Sequence, residues 1–121
     1  MRSRLSRGAA ALLGIGAVAL LSACGPGAPE PVPSDDGASP AVTVTVSDNQ
    51  YDPAEVEIAP GEAVRWEFVG PNEHDVVAND RSFVSELQTE GTYTHVFDEA
   101  GDFDYICSIH PEMRGIVHVT E

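Results

Sequence analysis

The residues able to do chemistry are concentrated in one stretch, Cys107-Ser108-Ile109-His110-Pro111-Glu112-Met113. It offers a thiolate, an imidazole and a thioether, donors that suit copper in both of its oxidation states. Two His, one Cys and a weak Met form the donor set of copper electron-transfer sites. The second His has to come from elsewhere, and His74, following the Asn72-Glu73 loop at the start of a strand, is the best placed. Taken singly, Cys107 reads equally well as a small buried core residue, Met113 as filler before the last strand and His110 as a loop residue. Their spacing, together with His74, is what speaks for a metal. Zinc is the chemical rival, because Cys and His bind it well. Structural zinc sites, however, use four Cys or His ligands, and a Met adds little for that metal.

The elements that must hold these donors read as strands. Val42, Val44 and Val46 alternate with Thr43, Thr45 and Ser47, giving one apolar face. Val56 and Ile58 alternate with Glu55 and Glu57, and Pro60-Gly61 makes a turn. Val64, Trp66 and Phe68 follow in the same manner, with Gly70-Pro71-Asn72 expected to break the strand. His74, Val76 and Ala78 share a parity, as do Tyr93, His95 and Phe97, then Phe103, Tyr105 and Cys107, and finally Val117 and Val119. Residues 79–90 are irregular, with room for a short helical turn, and Phe83, Val84 and Leu87 are expected to cover one end of the core. This pattern predicts an all-β sandwich of seven or eight strands over residues 41–121. By alternation alone an immunoglobulin-like domain fits as well. A domain of this size is marginal without a metal or crosslink.

The N-terminal third says where such a domain would work. Arg2, Arg4 and Arg7 precede a short apolar run at residues 9–21, the layout of a signal peptide rather than a bilayer span. The run ends in Leu21-Ser22-Ala23-Cys24, which resembles the bacterial lipobox and implies a lipid on Cys24 after removal of residues 1–23. Residues 24–40 would then be the lipidated Cys and a disordered Pro/Ser/acidic tether. The expected location is outside the cytoplasm, anchored to the cell membrane on its periplasmic or surface side. If Cys24 carries lipid, Cys107 has no disulfide partner, and metal ligation is one reason for a lone exported Cys to stay reduced.

The chain carries a formal charge of −14. After processing, Arg65, Arg81 and Arg114 stand alone against twenty Asp and Glu, with no lysine. That balance excludes nucleic-acid binding and favours a partner with a basic docking face.

At this point the chain resembles the cupredoxins, the plastocyanin/azurin family, over nearly all of residues 42–121. The resemblance is carried by Tyr51-Asp52-Pro53-Ala54-Glu55-Val56, Pro60-Gly61, Val64-Arg65-Trp66, Gly91-Thr92-Tyr93, Phe97, Gly101 and Phe103-Asp104-Tyr105-Ile106-Cys107. Met113-Arg114-Gly115 with Val117 and Val119 completes it. Two residues between His110 and Met113 is the spacing of the family's short-loop amicyanin branch. The resemblance implies a Greek-key sandwich, one copper ion, His74, Cys107 and His110 as strong ligands, and Met113 as a long axial ligand. It implies single-electron transfer by Cu(II)/Cu(I) cycling between redox proteins, with no enzymatic activity and no small-molecule substrate. His110, with Pro111 beside it, would be the electron port.

Two positions depart from the family's pattern. Asp75 stands where members have an Asn that ties the ligand loops together; its carboxylate could do the same by accepting a hydrogen bond from Ser108, and its charge would favour Cu(II). Glu112 stands where the amicyanin-like loop has an aromatic. A copper store or delivery protein is the alternative function. His95 is expected to be a neutral histidine with a hydrogen-bond partner near the core margin, His118 a surface residue and Trp66 core filler.

Overall fold

A computed structural model describes residues 29–121. Among them are eight strands and no helix. In chain order these are β1 (Pro40–Ser47), β2 (Gln50–Asp52), β3 (Glu55–Ile58), β4 (Glu62–His74), β5 (Val77–Ala78), β6 (Gln88–Phe97), β7 (Gly101–Ile106) and β8 (Arg114–Val119). They form two four-stranded sheets, ordered β2-β1-β4-β6 and β3-β8-β7-β5. Local alternation signals most of the strands, but not their partners. β1 pairs in parallel with β4, and β3 in parallel with β8, so each sheet mixes parallel and antiparallel neighbours.

The inward faces meet as the sequence alternation requires. Val44 and Val46 of β1, Val64, Trp66 and Phe68 of β4, Tyr105 of β7 and Val117 and Val119 of β8 are all buried. Burying each such side chain contributes about 1.5–3 kcal/mol. Trp66 is the centre of the core, stacked on Phe83 at 5.4 Å and meeting Tyr105 edge-on at 5.4 Å. Tyr105 faces Gly115 across the β7–β8 ladder. A Cβ on Gly115 would lie 2.2 Å from the Tyr105 ring, so glycine is what lets this ring lie against β8.

Three expectations are corrected. Leu87 does not cover the core; it is 39% exposed, while Phe83 and Val84 are buried. No helical turn forms over residues 79–90. The Asp80 carboxylate accepts from the Ser82 amide at 2.9 Å and its hydroxyl at 2.6 Å, and Val77 bridges Val84. Gly70-Pro71-Asn72 does not end the strand either. β4 runs on to His74, and its ladder with β6 instead shifts register between Val69 and His74. Asp75 and Val76 then carry the chain from one sheet to the other, where β5 pairs with β7. A crossing segment is covered from both sides, which is why Asp75, Val76 and Val77 are all buried despite opposite parities.

The stretch expected to be a disordered tether also differs in part. Residues 32–38 lie along the outer edge of β6. The Val32 amide donates to Val84 O at 2.8 Å and the Asp35 amide to Thr94 O at 2.8 Å. The Thr94 amide donates to Ser34 Oγ at 3.0 Å and the Val96 amide to Asp35 Oδ2 at 2.9 Å. Arg65 closes the far end, donating to Thr94 Oγ1 at 3.2 Å and Ala38 O at 3.3 Å. The apolar run at residues 9–21 and Cys24 lie outside the described residues, and among those described no helix is long and apolar enough to cross a membrane.

Candidate metal centre

The four expected donors come from two places at one end of the sandwich. His74 is the last residue of β4, and Cys107, His110 and Met113 lie between β7 and β8. That connection is folded tightly on itself. The His110 amide donates to Cys107 O at 3.3 Å, the Met113 amide to His110 O at 2.9 Å, and the Cys107 amide to Met113 O at 3.2 Å. Pro111 supplies no amide, so the turn is built from the residues around it. This closure returns the backbone of Met113, 1% exposed, to that of Cys107, which is free and fully buried.

His74 is 2% exposed, and its Nδ1 lies 3.8 Å from Cys107 Sγ. The His110 ring stands 5.4 Å from the His74 ring, tilted by 50°, and is half-buried at the rim. Among the described residues no three His, Cys, Asp or Glu side chains converge as a metal group by themselves. The closely set pair is His74 and Cys107, His110 stands outside it, and the remaining candidate donor is a thioether. Pro111 and Glu112 are exposed, as is Ile109 at 48%. Burial pushes the Cys107 thiol up, while backbone amides of Asp75, Ile109 and His110 aimed at the sulfur pull it the other way. A buried free thiol with an imidazole nitrogen facing it fits copper, which displaces the thiol proton and is held by soft sulfur and imidazole donors.

Asp75 ties the two segments that carry the candidate donors together. Its Oδ1 accepts the Ser108 amide at 2.7 Å and its Oδ2 the Ser108 hydroxyl at 2.6 Å. Its own carbonyl accepts from Tyr51 Oη at 2.6 Å, and the Val76 amide beyond it donates to Ser85 Oγ at 2.8 Å. A buried carboxylate survives in the core margin because each oxygen is satisfied. Asp48, which carries no recognisable signal in the sequence, reaches the same end from the turn between β1 and β2. Its Oδ1 accepts from Asn72 Nδ2 at 2.9 Å and lies 3.4 Å from His74 Nε2.

The other histidines are elsewhere. His95 packs between Phe83 and Phe97, at 5.2 and 4.7 Å. Its expected hydrogen bond is not made: Nδ1 is buried without a partner, the Asp35 carboxylate standing off at 3.8 Å. Burial holds its pKa below the usual histidine value, against the pull of Asp35, Asp98 and Asp80. His118 is on the outer face of β8, between Asp102 Oδ1 at 2.6 Å from Nδ1 and Glu55 Oε1 at 2.5 Å from Nε2. Those two hydrogen bonds raise its pKa.

A family model described as a cupredoxin-like domain matches residues 12–119. A curated relative, amicyanin of Paracoccus versutus, is 35% identical over 74% of this chain and 73% of its own length. The crystal structure of amicyanin from Paracoccus versutus superposes with a TM-score of 0.60, 35% identity and coverage of 74% of this chain and 85% of that one. A point variant of amicyanin in its reduced Cu(I) form gives a TM-score of 0.62 at 30% identity, covering 75% of this chain and 92% of that one.

Proposed function

The chain belongs to the cupredoxin family, and from that premise we propose that it is a blue-copper electron carrier that takes and gives single electrons between redox proteins outside the cytoplasm. His74, Cys107, His110 and Met113 hold one copper ion in this reading. The observation that carries it is the buried pair of Cys107 Sγ and His74 Nδ1, 3.8 Å apart, beside the hydrogen-bonded turn that returns buried Met113 to Cys107. Bound copper supplies the Cu(II)/Cu(I) couple.

The chain's own residues have the task of holding one geometry in both oxidation states. Asp75 does so by fixing Ser108, and with it the start of the ligand loop, to the sheet-crossing segment that follows His74. Four protein donors leave no open position for a substrate, which supports a carrier rather than an enzyme. His110, with Pro111 and Ile109 exposed beside it, is the electron port. Glu73 and Glu112 are exposed on the same ligand segments, which favours a partner with a basic docking face.

Residues 1–23 act as a lipoprotein signal peptide and Cys24 carries the lipid; the Leu21-Ser22-Ala23-Cys24 tetrapeptide after an apolar run supports this. With residues 32–38 against β6, the domain begins only a few residues after Cys24 in the chain, and the carrier works close to the membrane that holds it. Cys24→Ser should abolish fatty-acid incorporation and release the protein from membranes; lipid labelling of that variant would refute the anchor.

The deciding experiment is the visible and EPR spectrum of the Cu(II)-loaded protein beside Cys107→Ser. An intense blue band with narrow copper hyperfine splitting, lost in the serine variant, is the expected result. Pale, tetragonal copper in both would remove electron transfer and leave a copper-handling role.

A further inference from the structure

The aspartate that reaches the candidate site from outside both ligand segments has a role of its own. Asp48 and Asn49 form the two-residue turn between Ser47 and Gln50, which are paired across β1 and β2. The residue with a left-handed backbone there is Asn49, at φ 65°. Asn tolerates that conformation, so the turn is served without a carboxylate at position 48. The Asp48 carboxylate is directed to the end of the neighbouring strand β4, where Oδ1 accepts from Asn72 Nδ2 and faces His74 Nε2. Asn72 thereby holds the carboxylate against the ring.

A neutral imidazole has one N–H and one lone pair, and the hydrogen bond made by one nitrogen decides which is which. An ionised carboxylate only accepts, so the N–H of His74 belongs on Nε2. That leaves the lone pair on Nδ1, the nitrogen facing Cys107 Sγ. This is the tautomer a metal at that position requires. Carboxylate–histidine pairs behind a metal fix the ring and raise the basicity of the ligating nitrogen.

We infer that Asp48 is a positioning residue of the copper site: through Nε2 it sets the tautomer and orientation of His74, and through the ring it weights the site toward Cu(II). The inference rests on the ligand set proposed above, but half of its test does not need copper.

The ring nitrogens of His74 can be read by 15N NMR in the metal-free intact protein near neutral pH, for the parent, Asp48→Asn and Asp48→Ala. The parent should show the Nε2–H tautomer. Asp48→Asn, which keeps an acceptor, should retain it, and Asp48→Ala should give a mixture. In the loaded proteins, Asp48→Ala should weaken Cu(II) binding by about tenfold, the lower end for such outer partners, with Cu(I) binding little changed. A tenfold loss confined to one oxidation state is a rise of about 59 mV in potential. Asp48→Asn should show a smaller rise without the tautomer change, a split that a merely structural turn residue would not produce. An Nδ1–H tautomer in the parent, or an Asp48→Ala protein with tautomer and potential both unchanged, overturns the inference. A failure of the copper reading shows itself separately, as a blue band that never forms or survives Cys107→Ser, and the tautomer measurement then decides alone.

Discussion

The candidate ligand end of the sandwich and the outer face of the sheet β3-β8-β7-β5 each set a histidine against carboxylates, and they use its ring in opposite ways. At the ligand end, His74 is almost fully buried, meets one carboxylate on Nε2 and leaves Nδ1 to the thiol. On the sheet face, His118 has both nitrogens taken, one by Asp102 of β7 and one by Glu55 of β3. Two donors to two carboxylates is the pattern of an imidazolium, so His118 is a cation stapling three adjacent strands. The chemistry open to a histidine is thus decided by how many of its nitrogens the fold leaves uncommitted. It is not decided by the presence of acid nearby. His95 is the third case, with Nδ1 buried and unpartnered and aromatic rings on both sides.

The contrast can be tested by removing groups on each side. The largest effect should come from Asp75→Ala, which strips the acceptor from the Ser108 amide and hydroxyl at once. Two charge-assisted bonds in a buried setting are worth about 3 kcal/mol or more together, and a domain of this size should lose on the order of 10–20 °C in Tm. A thermal melt of the metal-free protein measures this; a loss of only a degree or two would put the ligand end on the same footing as the surface. Asp75→Asn keeps the shape and removes the charge, and it should raise the reduction potential, by on the order of 1–2 kcal/mol at an effective dielectric of ~20. His118→Gln, out on a sheet face, should leave the potential where it is. Voltammetry of the two variants side by side separates them, and equal shifts would break the comparison.

Acid brings out the two remaining histidines with opposite signs. Burial holds the folded-state pKa of His95 below its unfolded value, so its contribution is present above about pH 6.5 and lost as pH falls through the folded value. His95→Phe should therefore flatten the acid side of the stability profile. For His118 the folded-state pKa is raised by Asp102 and Glu55, so its contribution is complete below about pH 6.5 and fades as pH climbs through the folded value. The smallest effect belongs here, because the staple is solvent-exposed and screened by salt. His118→Gln should lower Tm slightly in mild acid and low salt and not at all in alkali. A deficit that grows with pH would reverse the assignment of the cation.

Much of this molecule was legible before its fold, and the reasons for the remainder differ from place to place. The candidate donors on the β7–β8 connection lie close in sequence, so their spacing could be read before the fold placed them at one end of the sandwich. The strands showed themselves because one face of each is buried and side chains alternate. Asp48 could not be singled out, since nothing local links it to His74 and only the parallel pairing of β1 with β4 brings their ends together. The His118 staple is likewise made from three strands that are distant in the chain. Residues 32–38 were misread for another reason. Their Pro, Ser and Asp composition is that of a linker, but they are held by backbone and short polar side-chain bonds to β6, which demand no apolar residues.

That docked stretch has a consequence for how the domain keeps to itself. β6 is the last strand of its sheet, and its outward amides at Thr94 and Val96 and its carbonyl at Thr94 are the groups that Ser34 and Asp35 occupy. An uncovered strand edge is a template on which a second chain can add. Residues 32–38 therefore serve as a selvedge, a finished border that stops the weave from being extended. Cut back to Ala41, the same sandwich would present a raw edge to its neighbours.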